Sequence, residues 1–168
     1  MAWYVLAVSL HVLAACVWIG GMVFLAAAVL PVLRRPAYQG VAVPLIYAVA
    51  LQFRWIAWAT LGLLVATGIW NLHFRGYGWA EVRDGSLWRG GFGHILGIKL
   101  VLVALILAIS AWHDLIVGPR FTQAALVDPG SPRTRRLRRA AAWVGRLMLI
   151  LSVSALALGV MLVRGVPQ

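Results

Sequence analysis

Residues 93–120 read GHILGIKLVLVALILAISAWHDLIVGPR, and this stretch decides the class of fold. Its apolar part is long enough to cross a bilayer as a helix, for which about 20 residues suffice. It nevertheless carries His94 and Lys99 near one end and His113 with Asp114 near the other. Ionisable side chains inside a membrane helix are costly, so they are rare unless they face the protein interior and have a function. The stretch therefore predicts a membrane-spanning helix with functional polar residues.

The composition of the whole chain supports this interpretation. Hydrophobic residues make up 63% of the sequence and charged residues 11%, whereas soluble domains are about 45–50% apolar. Within lipid the backbone must satisfy its own hydrogen bonds, which leaves helices and closed barrels. The alternating pattern of barrel strands does not occur in the sequence. We predict an all-α fold, a single membrane domain over residues 1–168 that forms an integral membrane four-helix bundle.

The predicted spans cover about residues 3–33, 55–73, 92–117 and 140–163. The first should be a retained helix rather than a signal peptide, because residues 1–10 carry no Arg or Lys and the apolar run continues past Cys16.

The connections between the spans differ in character. The segment 37–53 is apolar but interrupted by Gly40 and Pro44, so we expect it to lie at the membrane interface or to lead into the second span. Gly118-Pro119 is expected to stop the third span. The segment 120–139 is then a basic loop.

The arginines indicate how the chain is oriented. The net charge is +11, but the basic residues lie in short connections, which is a topology signal rather than a sign of nucleic-acid binding. The connections after spans one and three hold Arg34, Arg35, Arg54, Arg120, Arg133, Arg135, Arg136, Arg138 and Arg139. By the positive-inside rule the 120–139 loop is cytoplasmic and both termini lie on the outer, periplasmic side. We predict a multi-pass protein of the bacterial inner membrane, with the lipid bilayer as its principal partner.

This topology predicts a shared site in the outer third of the bundle. Each of the four spans contributes one candidate ligand there: His11, His73, His94 and Met161. Imidazole and thioether ligands suit copper. Imidazoles on facing helices are equally the usual axial ligands of haem b, and Arg75 or Arg89 could then meet its propionates. The composition does not separate copper from haem.

The third span also carries polar residues along its length. Lys99 and His113 fall within about 40° of the same helix face, roughly 21 Å apart along the axis. One side of this span could line a route between the two membrane faces. Lys99, His113 and Asp114 are therefore candidates for controlling passage or charge.

Several short motifs resemble the CopD-type copper-resistance membrane domain, and the resemblance covers nearly the whole chain. They are His11 with Trp18-Ile19-Gly20-Gly21, Thr67-Gly68, Lys99, and His113-Asp114 followed by Gly118-Pro119. The resemblance implies a four-helix unit in the inner membrane. In larger members of that family, such a unit is linked to copper uptake from a periplasmic copper-binding partner.

A more distant similarity joins His11, His94, Lys99 and His113 to the HemJ-type protoporphyrinogen oxidases, which bind haem b. That resemblance implies that His11 is an axial ligand and that Lys99 is functionally required.

Three functions follow. The first is copper handling or transport through an outer His site, with a periplasmic copper-binding protein as partner. The second is a haem b redox protein that oxidises quinol or a porphyrin. The third is a structural subunit whose polar residues bind partner helices, a homo-oligomer included. The sequence holds no nucleophile-base pair or phosphate loop, so hydrolytic and phosphoryl-transfer chemistry are not predicted.

Overall fold

The computed structural model describes residues 2–38 and 40–164. Within these residues the chain is helical and contains no strand. The α-helices are α1 (Ala2–Phe24), α2 (Leu30–Leu33), α3 (Ala42–Phe74), α4 (Trp79–Arg83), α5 (Gly90–Trp112), α6 (Gly118–Val127) and α7 (Pro132–Arg164). Short 3-10 turns at Pro36–Tyr38 and Ser86–Trp88 lie in the connections.

Four helical segments are long and apolar enough to cross a membrane, which confirms the predicted all-α four-span bundle. They are Ala2–Leu33, Ala42–Phe74, Gly90–Val127 and Pro132–Arg164, with lengths of 32, 33, 38 and 33 residues. At about 1.5 Å per residue each is longer than the ~30 Å hydrocarbon core. The segments must therefore tilt or project beyond the hydrocarbon.

Two of the spanning segments contain a π-helical turn, one at Leu25–Val29 and one at His113–Val117. Each turn ends two residues before a proline, Pro31 or Pro119. Proline donates no hydrogen bond, and its ring clashes with the carbonyl four residues earlier. A wider turn at that point lets the helix continue past the proline.

The structure differs from the sequence-based boundaries in two places. The second span reaches back to Ala42, so most of the 37–53 segment continues that helix. Pro44 is tolerated because it lies in the first turn, where its missing N–H is not needed. The third span does not stop at Gly118-Pro119: α6 continues to Val127, which makes much of the predicted 120–139 loop helical. Residues 128–131 alone separate α6 from α7.

The spanning segments run antiparallel to their neighbours. Tyr4 at the start of α1 packs edge-on against Phe74 at the end of α3, with ring centroids 5.9 Å apart. Arg75 then reaches the end of α7, where its guanidinium donates to the Leu162 carbonyl at 3.1 Å. The bundle end that holds Ala2, Phe74, Gly90 and Arg164 is called the terminal face below. The opposite end, which holds residues 34–38, 40–41 and 118–139, is called the basic face.

The core lies midway between the two faces. Trp18, Ala57, Leu61, Ile106, Met148 and Ala155 are buried together there. The Trp18 indole donates a hydrogen bond to Ser152 Oγ at 2.8 Å, which joins α1 to α7. Large apolar side chains such as Val101, Leu115 and Ile150 are well exposed on the outside. Such a surface has to be covered by lipid, so the protein contacts the bilayer.

Candidate functional site

The site is organised around His11, which lies half-buried in the interface between α1 and α3. Its Nδ1 is 2.8 Å from Thr67 Oγ1. Thr67 donates its single hydroxyl hydrogen to the Leu63 carbonyl at 2.6 Å, so its oxygen is left to accept. In the neutral imidazole Nδ1 therefore carries the hydrogen and Nε2 keeps its lone pair. Metal-binding histidines are commonly oriented by such a second-shell hydrogen bond.

The motif around His11 on α1 has a structural explanation as well. Two turns further along α1, Trp18 is buried and bonded to Ser152 of α7. Gly21 lies against Phe53 of α3, and a Cβ there would stand 2.5 Å from the Phe53 ring. The face of α1 that carries Trp18 and Gly21 thus meets both neighbouring helices, and this fixes the rotation of α1 and with it the direction of His11.

Lys99 lies on α5, half-buried, with its Nζ 3.0 Å from the position that a Cβ on Gly159 would occupy. It is the only lysine in a chain with fourteen arginines. Lys99 and His11 are each nine residues from the start of their helix at the terminal face, so they lie at a similar depth in the bundle. Asn71, one turn from Thr67 on α3, has a buried Oδ1 with no hydrogen-bond partner. Together these residues form a polar interior towards the terminal face.

Within the part of the chain that the structure describes, no carboxylate pairs with Lys99 or Arg75. The chain has four acidic residues, and each is engaged elsewhere. Glu81 accepts from the Gly78 N–H, Asp84 from the Ser86 N–H, and Asp128 from the Gly130 N–H. Asp114 lies near the basic face. Imidazole nitrogen is thus the donor that His11 itself offers to a metal, and hard ions such as Mg²⁺ or Ca²⁺, which prefer carboxylate ligands, are disfavoured.

A second polar cluster joins α3 to the π turn at His113–Val117. Asp114 Oδ2 accepts from the Trp58 indole at 2.9 Å and lies 3.7 Å from Arg54 Nε. Asp114 Oδ1 is 3.3 Å from His113 Nδ1. This cluster ties the two helices together near the basic face, so Asp114 has a clear structural role.

The other predicted ligands, His73, His94 and Met161, lie on α3, α5 and α7. His73 and His94 are exposed, and Met161 is half-buried. Among residues 2–38 and 40–164, no three His, Cys, Asp or Glu side chains are grouped closely enough to hold a metal ion. Arg75 is engaged with the Leu162 carbonyl and lies over the Phe92 ring at 5.6 Å from its centroid. Arg89 is exposed.

Several residues that contact these side chains could not be predicted from the sequence. Lys99 contacts Gly159, Trp18 donates to Ser152, and Asp114 accepts from Trp58. The spacing of these residues along the chain does not predict any of the three pairs. Asn71 carries one usable signal, since an amide inside an apolar span is itself unusual.

The fold and the polar interior define a multi-pass membrane protein. The family described as CopD, copper resistance protein D, matches residues 47–164, and the chain belongs to this family. The matched part includes Lys99 and His113-Asp114, whereas His11 lies outside it. The family thus indicates a copper-resistance membrane protein.

A relative from Aquifex aeolicus (strain VF5), described as an uncharacterized protein, is 32% identical over 153 residues. The similarity covers 90% of this chain and 89% of the relative, so it includes far more of the chain than the family match does. No solved structure matches the chain.

Proposed function

We propose that this protein handles copper in the bacterial inner membrane and takes the ion from the outer side through a site whose first ligand is His11 Nε2. The hydrogen bond between His11 and Thr67 carries the proposal, because it holds the imidazole in one tautomer and leaves Nε2 with a lone pair. Membership of the copper resistance protein D family supports copper as the metal.

The donor set of the interior fits copper as the transported ion. Imidazole nitrogen and thioether sulfur bind copper well, and the sulfur favours the reduced ion. The absence of a nearby carboxylate in the described chain disfavours harder metals. We propose His94, His73 and Met161 as further ligands, which the ion meets as it enters from the terminal face or after side-chain rotation.

The positive charge of Lys99 fits a site that releases copper readily rather than one that stores it. A positive charge at the depth of His11 opposes a second cation in the low dielectric of the bundle. Copper bound there is held less tightly than the imidazole alone would hold it, so it is released more readily. His113 and Asp114 would act on charge at the other end of the route, near the basic face.

The proposal includes the direction and the source of the ion. The terminal face would be periplasmic, and a periplasmic copper-binding protein would deliver copper there. A quinol is the alternative partner if the protein turns out to transfer electrons.

Copper binding by the purified protein tests the proposal. Cys16 is exposed, and a free thiol binds Cu⁺ by itself, so every variant should carry Cys16→Ser. In this background we expect one Cu⁺ per chain in competition with a chelator, and uptake of copper into proteoliposomes. His11→Ala should weaken binding at least about tenfold and slow uptake. Ser9→Ala, an exposed change on the same helix, is the control. Equal copper binding by wild type and His11→Ala would contradict the proposal.

An absorption spectrum of the same sample separates copper from haem. A sharp α-band on reduction would replace the copper proposal with a haem b redox protein, in which His11 would be the axial ligand to substitute first. A colourless preparation from haem-replete cells would rule that alternative out. A protein that holds neither copper nor haem, whether or not His11 is present, would be a structural subunit.

A further inference from the structure

A cleft of about 630 Å³ opens between α6 and α7 at the basic face. The residues that line it are Arg120 from α6, Ser131 from the connection, and Pro132, Arg133, Arg136 and Leu137 from α7. Arginines from two different helices therefore face one concave space. The cleft lies far from His11 and plays no part in the copper site proposed above.

The corner that builds the cleft is held by hydrogen bonds rather than by a loose loop. Thr134 is buried, and its hydroxyl donates to the Asp128 carbonyl at 2.8 Å. Ser131 Oγ in turn accepts the Thr134 N–H at 3.1 Å, as an N-cap residue does. Ala125 of α6 is buried beside this corner. The arginines thus project from a preformed scaffold.

The charge in the cleft is positive and unbalanced. None of the lining residues is acidic, and Asp128, the nearest acid in the sequence, accepts the Gly130 N–H at 2.9 Å. In the described chain, Asp114 alone pairs with a basic side chain within 4 Å, and its partners are Arg54 and His113. The cleft also adjoins the N-terminus of the 33-residue helix α7, where the helix dipole is positive.

We propose that this cleft binds the phosphate headgroup of an anionic phospholipid. Guanidinium groups donate paired hydrogen bonds to phosphate oxygens, and a cleft with three of them can hold one phosphodiester from several sides. A lipid is favoured over a soluble phosphate by the apolar lining from Leu137 and Pro132. It is also favoured by the position of the cleft, where two membrane-spanning segments, Gly90–Val127 and Pro132–Arg164, meet.

The arginines near the cleft that do not line it can be compared with those that do. Arg135 donates to the Gly130 carbonyl instead of facing the cleft, and Arg138 and Arg139 do not line it. A general attraction of basic residues to an anionic surface would depend on the number of charges and hardly on which arginine is removed. Lipid binding in the cleft instead depends on which arginine is replaced, because Arg120, Arg133 and Arg136 line the cleft.

Native mass spectrometry and lipid-dependent thermal stabilisation of the full-length protein in detergent test the site. Phosphatidylglycerol should bind and stabilise, and phosphatidylcholine should not. The half-saturating concentration of phosphatidylglycerol should rise about tenfold in Arg120→Gln and in Arg136→Gln, because each loses charge-assisted hydrogen bonds. It should change less than about twofold in the controls Arg138→Gln and Arg139→Gln, which remove the same charge from exposed side chains that do not line the cleft. Arg136→Lys should recover part of the binding.

Two results would overturn the proposal, and each would indicate a different explanation. Equal weakening in all four Gln variants would show that the arginines act as a diffuse topology signal and not as a site. Stabilisation by inorganic phosphate or glycerol phosphate at the concentration at which phosphatidylglycerol acts would show a soluble phosphate as the ligand. Because each variant replaces an exposed side chain, its unfolding temperature without lipid should stay near that of the wild type.

Discussion

Lys99 of α5 and Gly159 of α7 are in direct contact, with Nζ 3.0 Å from where a Cβ on residue 159 would stand. Glycine at that position gives the single lysine of the chain room inside the bundle. The ammonium group is thereby kept inside the bundle at the depth of His11, without a carboxylate partner in the described chain. An unpaired charge in this position costs stability, so we expect it to serve the passage of the transported ion.

Replacing this lysine tests how it acts. Lys99→Met keeps most of the side-chain length and removes the charge, so the protein should become more resistant to unfolding. Copper binding at His11 should tighten about tenfold, which corresponds to removing one charge on the order of 10 Å away at an effective dielectric constant of about 20. Copper titration and thermal unfolding in detergent measure the two effects.

The control for this prediction is Lys99→Arg, which keeps the charge and should leave the copper affinity near that of the wild type. Weaker copper binding in Lys99→Met would mean that the amine helps to bind the ion, and the repulsive role would then be wrong.

Thr67 is expected to position His11 rather than to contact the ion. Thr67→Val keeps the shape of the side chain but removes the oxygen that accepts the Nδ1 hydrogen. Loss of such a second-shell partner typically lowers metal affinity about 10- to 100-fold, and we expect a change in this range in a copper titration.

Thr60→Val is the matched control for Thr67→Val. Thr60 is also buried on α3 and also donates its hydroxyl to the carbonyl four residues earlier, that of Ile56, but it has no histidine partner. Thr60→Val should leave copper affinity unchanged. A similar loss in both variants would point to a general disturbance of α3.

The bond between Trp58 and Asp114 should contribute to stability near the basic face. Trp58→Phe removes the indole donor from Asp114 Oδ2 and should lower the free energy of unfolding by about 1.5–3 kcal/mol, the usual effect for a hydrogen bond to a charged group. Thermal or denaturant unfolding in detergent measures it.

Trp55→Phe serves as the comparison, because Trp55 lies three residues away on α3 with 76% of its surface exposed. This change should have little effect on unfolding. If Trp58→Phe also had little effect on unfolding, the Asp114 cluster would not hold α3 to the π turn at His113–Val117 in solution.

The orientation of the bundle remains a prediction from the arginine distribution. A reporter that is active only in the periplasm, fused after Gln168, should be active, although residues 165–168 lie outside the described part of the chain. The same reporter inserted in the 128–131 connection should be inactive. The opposite pair of results would place the basic face, and the lipid cleft with it, on the outer side.

Much of the architecture could be predicted from the sequence. Uniformly apolar runs separated by arginines specify four spans, because burying a backbone in lipid requires helices and charged residues are excluded from hydrocarbon. The CopD-type resemblance rests on residues such as Lys99 and His113-Asp114, and the family match confirms it. His11 was a candidate from its depth in the first span, and the structure gives it a partner in Thr67.

Whether the helices end at Pro31 and Pro119 or continue past them could be seen only in the structure. Pro119 reads as a stop signal in the sequence, but a π turn at His113–Val117 absorbs the missing hydrogen bond and α6 follows. Whether a helix ends at a proline or continues past it depends on what the next segment packs against, which is a long-range property.

The class of fold, the number of spans and the residue types available for a site follow from the amino-acid sequence. Which of these residues meet is seen in the folded bundle: His11 with Thr67, Lys99 with Gly159, and Arg120 with Arg136 across the cleft. The physical reason is that both the inner and the outer face of a membrane helix are apolar, so periodicity does not reveal which side turns inward. The rotation and register of each helix come from packing against its neighbours, and this packing brings polar side chains together from distant parts of the chain.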